Sequence, residues 1–118
     1  MSQATFDIEL SLHNFAGAQV TLQRSLGDEY LFEDRTKQGW GLVLRKRDEV
    51  RLSLAEAVDS FLKPLAAVQS LIADCEPTLR LAVFNPNVTC TVLLPRLDQI
   101  AALGAKLEVS VYPADDDQ

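Results

Sequence analysis

Apolar and polar side chains alternate strictly along the first part of the chain. The apolar positions are Phe6, Ile8, Leu10 and Leu12, and the polar positions are Asp7, Glu9, Ser11 and His13. A repeat of two residues is the repeat of a β-strand that buries one face. The pattern therefore predicts a strand over residues 4–13 with a polar face that carries two carboxylates.

A helix is predicted next, over residues 15–26. Asn14 is a residue type that caps helix N-termini, and Gly27 follows the last apolar residue, where a left-handed conformation commonly ends a helix. We expect Val20 and Leu26 to face the sheet.

Two short β-prone segments, residues 30–34 and 40–45, follow this helix. The loop between them includes Gly39, and its length and composition suit a hairpin. We expect Leu42 and Leu44 to continue the core face of the sheet.

The middle of the chain predicts one long amphipathic helix. Ser53 and Glu56 have the spacing of a capping box, in which each side chain bonds the backbone N–H of the other residue. Pro64 lies inside the helical pattern and removes a backbone donor, so a kink or break is expected near Lys63. The apolar residues at helical intervals are Leu54, Val58, Phe61, Leu62, Leu65, Val68 and Ile72.

The last third of the chain predicts a second hairpin and then a helix–strand unit. Residues 79–83 and 88–94 alternate on either side of an Asn-Pro-Asn turn. Pro95 suits the first turn of a short helix that Gly104 ends, and residues 107–111 alternate again as the final strand.

These elements give the order β-α-β-β-α-β-β-α-β. Helices on one face of a mainly antiparallel sheet make an α+β two-layer sandwich related to ferredoxin-like folds. With 118 residues and 47% hydrophobic residues, the chain is expected to form one domain over residues 1–113. Residues 114–118 contain three aspartates and are expected to form an acidic, solubilising tail.

The cysteines and the N-terminal sequence indicate a reduced setting. Cys75 and Cys90 fit neither a CxxC motif nor a zinc-ligand spacing, and we interpret them as buried thiols. The N-terminal residues lack the basic and apolar regions of a signal peptide, and no apolar run reaches the roughly 20 residues of a membrane span. We expect a cytoplasmic protein without membrane contact.

The formal net charge is −6, and both halves of the chain are acidic. This charge argues against a nucleic-acid partner, because binding to phosphates requires a surplus of cationic side chains. The one basic cluster is interrupted by acidic residues, so we interpret it as a solvated loop. Its members are Arg45, Lys46, Arg47 and Arg51.

Residues with catalytic or cofactor chemistry are few. The five glycines form no phosphate-binding loop, and His13 is the only histidine, which leaves no paired-histidine metal site and no Ser-His or Cys-His relay. The sequence therefore predicts a non-enzymatic protein without a cofactor or a bound metal. Asp7 and Glu9 could act as an acid–base pair or approach a cation, and the alternative is a solvated sheet face.

The segment GDEYLFEDR, residues 27–35, is the first candidate binding site. It places aromatic side chains among carboxylates, a combination that can attract a basic partner and then anchor it. The alternative is that both aromatic side chains pack under the sheet edge. The polar strand face formed by Asp7, Glu9 and Ser11 is the second candidate. The first site comprises Asp28, Glu29, Tyr30, Phe32, Glu33 and Asp34.

Several motifs together resemble one bacterial family. They are Ser25-Leu26-Gly27, Gly39-Trp40, and Ile100-Ala101-Ala102-Leu103-Gly104-Ala105 ahead of Val111-Tyr112. With the amphipathic long helix, they resemble over nearly the whole chain the family catalogued as domain of unknown function 4279. Members of that family often carry an aspartate before the tyrosine of the final strand, where this chain has Ser110 and Val111. The resemblance implies a small cytoplasmic α+β domain and carries over no catalytic residues.

Two functional hypotheses follow. The first is a non-enzymatic protein-binding module, specifically a bacterial immunity protein that neutralises a cognate basic toxin domain by direct binding. It rests on the small single domain, the missing catalytic constellation and the negative charge. The second is a small-molecule-binding or regulatory domain, dimeric, with a groove between sheet and helices. Catalysis by Asp7 and Glu9 is a third hypothesis.

Overall fold

The computed structural model describes residues 5–46, 53–85 and 94–113. Its strands are β1 (Thr5–Leu12), β2 (Tyr30–Arg35), β3 (Gly41–Lys46), β4 (Pro77–Asn85) and β5 (Lys106–Pro113). Its helices are α1 (Gln19–Leu26), α2 (Leu54–Leu62), α3 (Gln69–Ala73) and α4 (Leu97–Ala102), and a 3₁₀ helix, Lys63–Val68, joins α2 to α3. The fold of the described residues is therefore α+β.

The five strands form a mixed sheet in the order β2-β3-β1-β4-β5. The β2–β3, β1–β3 and β1–β4 pairs are antiparallel, whereas the β4–β5 pair is parallel. Parallel neighbours need a crossover connection, and α4 lies between β4 and β5 in the chain. The elements through β4 follow the β-α-β-β-α-β order of ferredoxin-like folds. The predicted fold is thus matched in part, and the parallel edge strand β5 departs from it.

Both sides of β4 are occupied by other strands. β1 pairs with it from Pro77 to Phe84, and β5 pairs with it from Thr78 to Asn85. The predicted hairpin partner of β4, residues 88–94, lies outside the described residues except for Leu94. The Leu94 backbone is not part of a strand, and its half-buried side chain packs against the core.

The first helix begins later than predicted. α1 starts at Gln19, after a turn in which Gly17 has a φ of 80°, a left-handed value that a continuous α-helix cannot contain. With this start, Leu26 faces the core and Val20 is 63% exposed, so the prediction that Val20 faces the sheet is wrong. The predicted end is confirmed, because Gly27 follows the helix with a φ of 64°.

The long helix and its break are confirmed. The Ser53 hydroxyl accepts the Glu56 N–H at 3.1 Å, and the Glu56 carboxylate accepts the Ser53 N–H at 3.1 Å, which completes the capping box. α2 ends at Leu62, and the 3₁₀ helix follows, because Pro64 has no N–H for the Ser60 carbonyl. Apolar residues stay buried on both sides of the break: Val58, Phe61, Leu62, Leu65, Val68 and Ile72.

Apolar side chains from all four described helices cover one face of the sheet. α4 is held beside α2 by an ion pair between Arg96 and Asp59, and by a hydrogen bond that the Gln99 amide donates to the Leu62 carbonyl. The shared core cluster includes Leu22, Phe61, Ile72 and Ile100 from the helices and Leu10, Leu44 and Leu81 from the strands.

Candidate functional site

The strand residues that alternate away from the core form a second face of the sheet, which we call the open face. The register places Glu9 opposite Arg80 and Arg80 opposite Glu108, so side chains of three strands meet in one row. Its described members are Asp7, Glu9, Ser11, Leu31, Glu33, Arg35, Val43, Arg45, Thr78, Arg80, Ala82, Phe84, Lys106, Glu108, Ser110 and Tyr112.

Glu9 is the centre of an ion-pair network on the open face. Its carboxylate lies 3.1 Å from Arg80 Nη1, 3.6 Å from Arg45 Nε and 4.0 Å from Arg35 Nη1. Only 14% of the Glu9 side chain is exposed, so solvent and salt screen these contacts less than those of a surface pair. Glu9 therefore holds three arginines in place on one surface.

The network extends across the sheet from β2 to β5. Each of the three arginines has a second carboxylate partner, so charges of opposite sign alternate along the face. These further pairs are Arg35–Glu33 at 2.9 Å, Arg45–Asp7 at 3.6 Å and Arg80–Glu108 at 3.5 Å.

Trp40 covers part of this network. The Arg80 guanidinium carbon lies 3.8 Å from the centroid of the Trp40 ring, which is a cation–π contact. Strand alternation alone would place Trp40 on the core side with Leu42. Gly41 changes the direction of the chain: its φ is 72°, and a Cβ there would lie 2.2 Å from the Leu12 carbonyl oxygen. This close approach to β1 requires glycine, and it accompanies the placement of Trp40 over the open face.

The aromatic residues of the first candidate site turn toward the core. Tyr30 is 1% exposed, its hydroxyl donates to the Phe61 carbonyl, and its ring meets the Phe61 ring edge-on at 5.4 Å. Burial raises the pKa of the Tyr30 phenol, and the nearby Glu29 carboxylate raises it further. Phe32 is half-buried against the same core. Tyr30 is therefore not available as an exposed anchor for a partner.

Asp28 and Glu29 of the first candidate site lie in the 3₁₀ turn that precedes β2. Both are exposed. The Glu29 carboxylate is 3.5 Å from Lys46 Nζ, which also lies 4.8 Å from the centroid of the Tyr30 ring. The acidic turn is thus joined to a cation at the end of β3.

Glu33 and Asp34 are exposed on β2, and both have local partners. Asp34 accepts a hydrogen bond from the Thr36 hydroxyl and another from the Thr36 backbone N–H at 2.9 Å, and these bonds, the hydroxyl's foremost, lower the pKa of the Asp34 carboxyl. Residues 28–46 contain four acidic and four basic side chains. The hairpin is therefore balanced in charge, and it is not a strongly acidic patch.

The open face brings together residues from both candidate sites. Glu33 of the first site and Glu9 of the second contact the same arginine, Arg35. Asp7 lies on the same surface, while Ser11 is fully buried and its hydroxyl has no hydrogen-bond partner among the described residues. Glu33, Asp7 and Glu9 thus belong to one surface, whereas Asp28 and Glu29 lie in the turn before β2 and Asp34 alternates to the other side of the strand.

The interpretation of the basic cluster as a solvated loop is wrong for Arg45 and Lys46. Both residues lie at the end of β3, where Arg45 contacts Glu9. Arg47 and Arg51 lie outside the described residues. The signal that sequence reasoning missed is the strand alternation itself, which puts Arg45 on the face opposite to that of Leu44.

Cys75 is buried, as predicted. Its thiol donates to the Leu71 carbonyl at 3.2 Å, and burial, together with the Asp74 charge, raises the pKa of this thiol. Cys90 lies outside the described residues.

The described residues contain no group of three or more His, Cys, Asp or Glu side chains that could hold a metal ion. No helix in the described ranges is long and apolar enough to cross a membrane.

An open groove of about 470 Å³ lies between α1 and the 3₁₀ helix. Thr21 and Ser25 line one side, Gln69 and Ser70 line the other, and none of its lining residues is charged. The small-molecule hypothesis placed its groove between the sheet and the helices, whereas this groove lies between helices and its lining includes no strand residue. The groove therefore gives that hypothesis no specific support.

Comparison with protein families, with curated proteins and with solved structures found no match to this chain. The resemblance to the family catalogued as domain of unknown function 4279 therefore stays a prediction that rests on the sequence motifs.

Proposed function

We propose that this chain is a non-enzymatic protein-binding module that contacts its partner with the open face. Within that class we propose a bacterial immunity protein, which neutralises a cognate toxin domain of basic charge. The observation that carries the proposal is the ordered arginine network beside exposed apolar and aromatic side chains.

The open face has the residue types that concentrate in protein interfaces, namely arginine and aromatic residues. Leu31 is 43% exposed, Phe84 is 39% exposed and Tyr112 is 48% exposed. The Phe84 and Tyr112 rings stack with their centroids 5.2 Å apart. Because these apolar groups flank the network on both sides, a partner that covers the network also buries them.

The network is ordered before a partner arrives. Arg35, Arg45 and Arg80 are each held by carboxylates, and Arg80 also stacks on Trp40. Immobilising a long side chain on binding costs about 0.5–1.5 kcal/mol, and side chains already held in place avoid part of that cost. The face therefore presents guanidinium donors and carboxylate acceptors in a fixed pattern that can select a partner.

The charge of the whole chain supports a basic partner. The net charge is −6, and three consecutive aspartates, residues 115–117, contribute half of it. The open face itself is balanced, with four carboxylates matched by four cationic side chains. In this proposal, the chain as a whole attracts the partner, and the open face provides specificity.

The test uses the product of the reading frame adjacent to the gene for this chain as the probe, with binding measured by calorimetry. Leu31→Asp and Phe84→Ala change opposite sides of the open face at exposed positions. Val20→Asp is the matched control, because Val20 is an exposed apolar residue on α1. We expect each open-face variant to weaken binding by about tenfold or more and the control to bind as the wild type does.

Absence of binding by the folded wild-type protein would overturn the immunity proposal. Binding that is equally strong in both open-face variants would instead contradict the assignment of the site. Circular dichroism of each variant excludes unfolding as the cause of a loss.

We also infer that β1 to β4, with α1 and the broken helix α2–α3, form a ferredoxin-like sandwich to which α4 and β5 are added. The order β2-β3-β1-β4 with three antiparallel pairs supports this inference. Cross-strand nuclear Overhauser effects test it, since parallel and antiparallel pairs give different contact patterns: antiparallel contacts of β1 with both β3 and β4 are expected, and a parallel pattern between β4 and β5.

A further inference from the structure

β5 is an edge strand with an exposed apolar row. It is the last strand of the described sheet, and among the described strands it pairs with β4 alone. Leu107, Val109 and Val111 lie opposite β4 residues that are at most 3% exposed. These β5 residues are themselves 40%, 44% and 54% exposed. The apolar row that is buried on β4 therefore continues onto β5, where it is exposed.

An edge strand of this kind is a template for another strand, because its outer N–H and C=O groups can extend the sheet. Proteins commonly block such pairing with a proline, a bulge or an inward-pointing charge. In β5, Lys106 and Pro113 stand at the two ends. Glu108 is the one charged residue between them, and it lies on the open face beside Arg80. The apolar row itself carries no blocking charge.

We propose that β5 pairs antiparallel with β5 of a second copy, about a two-fold axis at Val109. The pairing joins two five-stranded sheets into one continuous sheet. Under two-fold symmetry each copy contributes the same surface, so the assembly closes at two copies. The proposal adds a partner and a second surface to the function proposed above, and it does not depend on that function.

The apolar row is self-complementary in this register. Pairing about Val109 places Leu107 opposite Val111 of the partner subunit, and Val109 opposite Val109 of the partner subunit. Directly opposite residues have Cβ atoms about 4.5–5.5 Å apart, so the exposed apolar side chains cover one another. A shift of the pairing by one residue would turn one copy's apolar row to the open face. Only registers that differ from this one by an even number of residues therefore keep the two apolar rows together.

The open-face side of β5 is complementary in the same register. Lys106 lies opposite Tyr112 of the partner subunit, where an ammonium group can contact the face of an exposed ring. Glu108 lies opposite Ser110 of the partner subunit, so no like charges meet directly.

The neighbouring registers of the same parity fit less well. Pairing about Glu108 would bring Glu108 directly opposite its own copy, and like charges directly opposite are destabilising. Pairing about Ser110 would place Leu107 opposite Pro113 of the partner subunit, which has no N–H to donate. Charge and backbone chemistry therefore both favour the axis at Val109.

The first experiment is size-exclusion chromatography with light scattering across a concentration series. The wild-type protein should reach twice the 13.0 kDa of one chain. Val109→Lys should shift the mass to that of a monomer, since two ammonium groups would face each other across the axis. Val20→Lys is the matched control, because it adds the same charge at an exposed apolar position on α1 and should leave the dimer intact.

A wild-type protein that stays monomeric at high micromolar concentration would overturn the proposal. A dimer that withstands Val109→Lys would contradict it as well, because the contact would then lie elsewhere. Unfolding of Val109→Lys would show that Val109 is covered within its own chain, which also contradicts the proposal.

The second experiment tests the register by cysteine cross-linking in a Cys90→Ser background. Val109→Cys should form a covalent dimer under mild oxidation, since the two side chains meet at the axis. Leu107→Cys alone should not, whereas Leu107→Cys combined with Val111→Cys should. Cross-linking by Leu107→Cys alone and none by Val109→Cys would exclude this register.

Discussion

Tyr30 connects the edge of the sheet to α2 through a hydrogen bond and a ring contact. Its hydroxyl donates to the Phe61 carbonyl, and both rings are almost completely buried. A phenolate at this position would lose its hydration, which is why burial raises the pKa of Tyr30 above the ordinary value of about 10. Ionisation of this one side chain is therefore coupled to unfolding.

We predict that Tyr30 makes the fold less stable at alkaline pH. The unfolded chain releases the phenolic proton above about pH 10, while the folded chain retains it until the raised pKa is reached. The stabilisation is fully present below pH 10 and is lost as pH rises, at about 1.4 kcal/mol per pH unit between the two pKa values. Urea melts between pH 9 and pH 12 measure this slope.

Tyr30→Phe should remove that part of the slope. It should also cost roughly 1 kcal/mol at neutral pH, because the Phe61 carbonyl loses its donor. Tyr112→Phe is the control, since Tyr112 is 48% exposed. Identical alkaline slopes in the wild type and Tyr30→Phe would contradict the coupling.

Gly41 combines a left-handed backbone with a close approach of β3 to β1. We predict that Gly41→Ala destabilises the fold by at least about 3 kcal/mol, from conformational strain together with a clash against the Leu12 carbonyl. Gly39→Ala is the matched control: Gly39 has a φ of 87°, but a Cβ there meets nothing within 4 Å. It should cost only the strain, about 1–2 kcal/mol.

Trp40 provides the measurement for the Gly41 prediction, because it is the only tryptophan and lies against Arg80. Its fluorescence should report both the melting curve and any change of position in the native state. Equal losses of stability in the two glycine variants would show that β3 can move away from β1.

At the scale of the element, the sequence pattern of α2 predicts which of its residues are buried. Val58, Phe61 and Leu62 follow the capping box at helical intervals, and all three are buried. The break at Pro64 changes the helix type without exposing Leu65. Local pattern and tertiary packing agree along this whole segment.

We predict that Phe61→Ala destabilises the fold by about 3–5 kcal/mol, through lost apolar burial and the cavity that remains. The edge-on contact with Tyr30 is lost as well. Chemical denaturation measures the change, and Val20→Ala, at an exposed position on α1, should stay within about 0.5 kcal/mol of the wild type. A loss below about 1 kcal/mol for Phe61→Ala would contradict its place in the core.

The elements that sequence reasoning predicted best are those in which alternation or helical spacing is local. The strand around Glu9, the β2–β3 hairpin and the broken helix follow from such spacing. The start of α1 did not, because the left-handed backbone of Gly17 competes with the helical pattern around it.

The candidate site was predictable only in part for a similar reason. Asp7 and Glu9 were assigned correctly to one strand face, but the contact between Glu9 and Arg80 depends on strand order, which joins residues 71 positions apart. Trp40 reaches the open face at the left-handed turn of Gly41, which the strand alternation of its neighbours does not reveal. Local patterns therefore predicted the faces of the strands but not the network that crosses them.

At the scale of the whole molecule, the net negative charge does not lie on the open face, which is the surface proposed to contact the partner. The exposed acids Glu29, Glu33 and Asp34 of the hairpin contact cations or the backbone, so reversing the charge of Glu33 and Asp34 would also break folded contacts, Glu33–Arg35 and Asp34–Thr36. The aspartates at residues 115–117 hold half of the net charge. They lie outside the described residues, and their removal is the cleaner test of long-range attraction.

We predict that deleting residues 114–118 leaves the melting temperature within a few degrees of the wild type, because the segment contains no apolar residue larger than alanine. The same deletion changes the net charge from −6 to −3, since it removes three aspartates and no basic residue. Association with a basic partner should then slow by roughly threefold or more at low salt, and the difference should shrink as ionic strength rises, while dissociation stays the same.

Surface-based kinetics at two salt concentrations separates these rates, with the adjacent gene product as the partner. Replacing the three aspartates by asparagine is the matched control for chain length, and it should reproduce the slower association. Unchanged association in both variants would show that overall charge does not guide the encounter, and a basic partner would lose its main support. Faster dissociation would instead assign the tail a direct contact, which long-range attraction does not predict.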